Sequence, residues 1–154
     1  MTQVVAVPRL PRPVPPLDVE PRAIRSFAAD LLAASAQLDD LGTFVAGRAR
    51  VGDWHGVAST AYHDAIRPTG RLADAASLAL RDVARRADQH ADTMQRLLER
   101  RSALDSERNH LVAGLHEVSD ERTPAVRAFE TDLEAWVAEL VAEEAAMLEA
   151  FTRV

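Results

Sequence analysis

The chain has 154 residues, a formal net charge of −6, no cysteine, and aromatic side chains at only 5%. That length suggests one domain able to bury a real core, and the absence of cysteine excludes disulfides, thiolate metal sites and thiol nucleophiles. Alanine and leucine dominate the apolar residues, which favours helices over sheets. Nothing resembles the basic footprint of a nucleic-acid binder.

Residues 1–17 contain Pro8, Pro11, Pro13, Pro15 and Pro16, with Arg9 and Arg12 as the only charges. Proline fixes φ and lacks the amide donor, so this arm is expected to be extended or disordered. Proline also interrupts the N-terminus too soon for a signal peptide. No run of about 18 apolar residues is present, so no integral membrane segment is expected. By these signals the protein is expected to be soluble and made in the cytoplasm, and any export would need a route that does not use a cleaved leader.

A single helical domain is expected over 18–154. Pro21 suits the first turn of a helix, where a missing N–H costs little. From there Ile24, Phe27, Leu31, Ala34, Leu38, Leu41 and Val45 alternate spacings of three and four without a fault. This is the seam of a helix that packs along another. Gly42 and Gly47 weaken the last turns and Gly52 marks the stop, which places helix 1 at 21–49.

The joint at 50–56 contains Trp54-His55-Gly56, one of only two tryptophans in the chain. An indole here can plug the open end of a helical hairpin, and glycine two residues on allows a tight turn because it takes positive φ without strain. A second helix is expected over 57–118, kinked or briefly broken near Pro68. It opens with small residues at Ala58, Ala61 and Ala65. Its seam resumes at Leu72, Ala76, Leu80, Val83, Ala87, His90, Met94 and Leu97, continuing less purely through Arg101, Leu104, Arg108, Leu111, Leu115 and Val118.

Thr123 is a good N-cap and Pro124 a good first residue for helix 3, expected over 124–151. One stripe carries Val126, Phe129, Leu133, Trp136, Leu140, Met147 and Phe151. The outer face carries acidic side chains including Glu130, Asp132, Glu134 and Glu139. The fold class expected is all-α: an elongated helical hairpin with a Trp-Xaa-Gly turn, plus a third helix folding back to make a three- to four-helix bundle.

Chemistry is sparse. Glu107 and His110 have the Glu-x-x-His spacing of bundle di-iron sites, but such a site needs two of these motifs and further inward glutamates. His63-Asp64 and His116-Glu117 are adjacent in sequence and so point to different helix faces. No serine or threonine sits in a nucleophile elbow, and no glycine-rich loop could cradle a phosphate. Arg85-Arg86 and Arg100-Arg101 alternate with acidic residues, as on a solvated face. No catalytic residue, cofactor or metal is expected.

The run Trp54-His55-Gly56-Val57-Ala58-Ser59-Thr60-Ala61-Tyr62, between two amphipathic helices, resembles the WXG family of type VII secretion substrates. The likeness covers roughly 20–100 and is greatest to the actinobacterial secretion-targeting type, which the lysine-free composition suits. The family pattern is Trp-x-Gly-x-Ala-x-x-Ala-aromatic, matched here at Trp54, Gly56, Ala58, Ala61 and Tyr62.

The resemblance implies a helical hairpin that forms a homo- or heterodimer with a related protein. The seam for that pairing would be Ile24, Phe27, Leu31, Leu38, Leu41, Val45, Val83, Met94, Leu97, Phe129, Leu133, Trp136 and Leu140. It further implies leaderless export through the ATPase of a type VII system, ending outside the cell or at its surface, and service to a toxin or effector domain. In the family Trp54 and Gly56 would be half of an export signal whose other half is Tyr-x-x-x-Asp/Glu. Here the chain departs: its only tyrosine is Tyr62, and Ile66 stands four residues on. The other reading is a structural coiled-coil adaptor, or a chaperone of a larger effector with no export signal of its own.

Overall fold

In a computed structural model that describes residues 10–48, 54–114 and 124–153, every regular element is helical and none of the described residues is in a strand. The fold is all-α. Helix α1 spans Pro21–Thr43 and passes into a five-residue π-helical turn, Phe44–Arg48. Helix α2 spans Val57–Gly114 and α3 spans Pro124–Thr152. Pro21 and Pro124 both occupy first helical positions, where their fixed φ is already helical. Thr123, most of the joint (50–53) and the end expected for helix 2 (115–118) lie outside the described residues.

Helix α2 runs unbroken through Pro68, so the short break expected there does not occur. Proline removes the bond to the carbonyl of Asp64, but Asp64 and Pro68 are both exposed, so water can take that carbonyl. The next turn is anchored by buried Gly70, Ala73 and Ser77. Lost hydrogen bonding on the wet side is thereby tolerated.

The chain divides into two compact units, residues 1–20 with 92–146 and residues 21–91 with 147–154. In the first, Met94, Leu97 and Leu104 of α2 are buried, as are Val126, Phe129, Leu133 and Trp136 of α3. Trp136 and Phe129 are wholly enclosed, and the Trp136 Nε1–H donates to the Leu97 carbonyl at 2.9 Å. The indole therefore buries its full apolar area without orphaning its one polar atom.

The proline arm is not a disordered tail over residues 10–17. Pro11 and Val14 are buried against these helices. A polyproline-type strand has three residues per turn, so positions 11 and 14 share a side. Arg101 Nε donates to the Pro15 carbonyl at 2.8 Å, and Arg108 Nε reaches the carbonyls of Pro11 and Arg12 at 3.2 Å each. Carbonyls that proline leaves without helical partners are what these guanidinium groups use, and an ion pair of Arg12 with Glu134 at 2.7 Å adds a contact to α3.

The second unit packs differently. On α1 the buried residues are Pro21, Ala28, Ser35 and Gly42, spaced by sevens. On α2 they include Gly70, Ala73, Ser77, Ala84, Ala87 and Ala91. Small side chains let two backbones approach, and the line of closest contact runs over them. The seam expected on α1 is accordingly displaced by one residue. Ile24, Leu31, Leu38 and Val45 are half-buried flanks, while Phe27 is 45% and Leu41 42% exposed. On α2 the seam expected at Leu72 and Ala76 shifts to Ala73 and Ser77, leaving Leu72 71% exposed.

A polar clamp pins this interface. Ser77 Oγ donates to the Ser35 carbonyl at 3.1 Å or to Asp39 Oδ1 at 2.5 Å, and the two serine hydroxyls lie 2.9 Å apart. Arg81 Nε donates to Ser35 Oγ at 3.0 Å, and its guanidinium also pairs with Asp39. Phe27 meets Phe151 of α3, ring centroids 6.1 Å apart and tilted by 35°.

Candidate functional site

The joint that the sequence singles out delivers its side chains through one backbone device. Gly56 has φ of +112°, a value that side chains with a Cβ rarely adopt. Its carbonyl accepts the Thr60 amide at 3.1 Å and the Thr60 hydroxyl at 3.3 Å, so Gly56 is the N-cap of α2. The chain arriving at this cap carries Trp54. Its ring lies 5.7 Å from that of Tyr62 at 50°, and Tyr62 makes an edge contact with His63 at 5.6 Å.

Trp54 is not an end plug. It is 40% exposed and Tyr62 is 37% exposed, so the aromatic pair presents a surface. Ala58 and Ala61 are also exposed. Trp54, Gly56, Ala58, Ala61 and Tyr62 thus share the start of α2. Of the wider expected seam, Val83, Met94, Leu97, Phe129, Leu133 and Trp136 are buried within the chain and Leu140 is half-buried. Those residues serve its own cores.

A cleft of about 620 Å³ opens beside the joint. Gly42, Val45 and Ala46 line it from the end of α1 and the π-helical turn. Trp54 and His55 line it from the joint, and Ser59, His63, Arg67, Gly70, Arg71 and Asp74 from α2. The helices close tightly at its edge: a Cβ on Gly70 would meet Val45 Cγ1 at 3.2 Å. Sequence reasoning missed this site, although Ser59, His63, Arg67 and Arg71 recur at intervals of four, the signature of one helix face. Pro68 falls inside that run of four-residue intervals and signals a helix break there.

Elsewhere the candidates disperse. Glu107 and His110 are both exposed, and among the described residues no group of three or more metal-ligating side chains gathers. Among the described residues no helix is long and apolar enough to cross a membrane. No family model, no curated protein and no solved structure matches the chain.

Proposed function

We propose that the protein is a non-enzymatic type VII secretion substrate, or a secretion-targeting partner module, that works by pairing with itself or a related helical protein. The observation that carries this reading is the joint. A tryptophan followed by a positive-φ glycine caps a long helix, and the indole stands half-exposed beside Tyr62 instead of being spent on the core. Exposed Ala58 and Ala61 follow on the same helix, where small side chains let a second helix approach closely.

Apolar area left on the surface supports pairing. Phe27, Leu32 and Leu41 on α1, Leu72 and Leu78 on α2, and Val137, Val141 and Leu148 on α3 are all exposed. Apolar surface marks an interaction site where it is contiguous. Because no acidic residue stands four positions after Tyr62, the second half of an export signal would come from the partner. The adaptor reading, in which the chain pairs but carries no address, rests on the same departure.

The experiment is an export assay in a host that has a type VII system. The full chain is expressed with each small helical protein encoded beside it, and culture supernatant is compared with lysate alongside a cytoplasmic lysis marker. Trp54→Ala and Gly56→Ala are expected to abolish appearance in the supernatant while the partner is still retained. Partner binding without any export of the unaltered chain would establish the adaptor instead. A chain that stays monomeric and intracellular with every such neighbour sinks both.

A further inference from the structure

We propose that the cleft beside the joint is a binding site for a small organic oxyanion, a carboxylate or phosphate carried on a flat or apolar body. This stands independently of any role in export. Ser59, His63, Arg67 and Arg71 succeed one another about a turn apart on α2 and all line the cleft, so a serine, a histidine and two arginines border one cavity. Guanidinium forks match the planar or tetrahedral oxygens of carboxylates and phosphates, and charge-assisted bonds of this type are the strong ones.

Arg71 makes no hydrogen bond or ion pair with any described residue. Among the described residues Arg67 pairs only with Asp64, at 3.0 Å, with both side chains more than half exposed, a bond that a ligand readily outcompetes. One carboxylate, Asp74, also lines the cleft, one turn beyond Arg71 and with its Oδ1 beside Gly42. It opposes an anion at its own end. The oxyanion is therefore seated by Ser59, His63, Arg67 and the near side of Arg71.

The rest of the cleft explains why the ligand is organic. At about 620 Å³ it falls within the usual range for small-molecule sites. Val45 and Ala46 supply an apolar wall and Trp54 a half-exposed indole face. The π-helical turn that carries Val45 and Ala46 is a geometry that recurs at functional sites. With a net charge of −6 the chain as a whole repels anions, so binding here depends on the local arginines.

The test follows the two indole N–H resonances of the full-length protein by NMR, assigned with Trp54→Phe, during titration with phenyl phosphate, benzoate and inorganic phosphate. Saturable movement of the Trp54 resonance with an aromatic probe, Trp136 staying fixed, is the expected result. The tighter aromatic probe identifies the oxyanion, and inorganic phosphate, which lacks an apolar body, is expected to bind more weakly than phenyl phosphate. Arg67→Gln with Arg71→Gln is expected to weaken binding by roughly tenfold or more, Arg71→Lys less, with circular dichroism unchanged. No saturable shift up to about 10 mM of either aromatic probe, or equal affinity in the double variant, overturns the proposal. Inorganic phosphate binding as tightly as phenyl phosphate overturns its organic half.

Discussion

The two units of this protein reach stability by opposite routes. The first encloses large side chains, with Trp136, Phe129, Met94 and Leu97 all at most 2% exposed. The second encloses mainly alanine, serine and glycine, with Val83 the larger exception, and leaves Phe27, Leu41 and Leu72 on its surface. Large apolar side chains stabilise by the area they remove from water, about 25 cal/mol per Å². Small ones bury little of their own, but they bring two backbones close enough for a polar clamp to form. The first route maximises burial; the second keeps apolar area available for something else.

The comparison breaks most visibly at its largest side chain. Trp136→Ala removes an enclosed indole and its bond to the Leu97 carbonyl, and should cost about 3–5 kcal/mol, read as a fall in the thermal midpoint. In the small-residue unit, enlargement rather than truncation is the damaging change. Ala87 is fully enclosed, so Ala87→Leu is expected to cost about 1–3 kcal/mol by overpacking. If chemical denaturation shows it neutral, the helices there are not closely packed.

The clamp gives a smaller effect. Ser77→Ala removes the one hydroxyl donor that the Ser35 carbonyl and Asp39 Oδ1 share, worth about 1–2 kcal/mol, and a double-mutant cycle with Asp39→Asn should show coupling between the sites. Arg108→Gln withdraws the donor shared by the carbonyls of Pro11 and Arg12 and should cost about 1 kcal/mol. Its specific readout is faster proteolytic cleavage within residues 10–17, with the helices still intact. The smallest effect sharpens the contrast from the other side. Phe27 and Leu72 are exposed, so Leu72→Ser should shift stability by no more than about 0.5 kcal/mol, whereas an interface role would show as weakened self- or partner association in sedimentation.

Much of this was legible in the chain. The three helices, their starts at Pro21 and Pro124, and the buried stripe Val126, Phe129, Leu133 and Trp136 follow from periodicity because large apolar residues dominate there. The same logic misplaced the α1 seam by one residue. Phe27, Ala34 and Leu41 recur every seven residues, yet so do Ala28, Ser35 and Gly42 beside them. Hydrophobicity ranks the first set higher, while close approach selects the second. The docking of the arm was illegible for a related reason: proline content fixes its extended form but says nothing of Arg101 and Arg108, which lie more than 80 residues away along the chain.

At the joint the division is plain. Sequence alone determined that a tryptophan and a glycine would interrupt two helical seams, because glycine there relieves a turn that other residues strain. It also determined the all-α class, through alanine and leucine at helical spacing. Only the tertiary structure decided that the indole stays half-exposed, that Ser59, His63, Arg67 and Arg71 open onto one cleft, and that small residues form the second core. Those outcomes depend on how closely two distant segments approach, and distance between helices is a property of packing that local pattern does not encode.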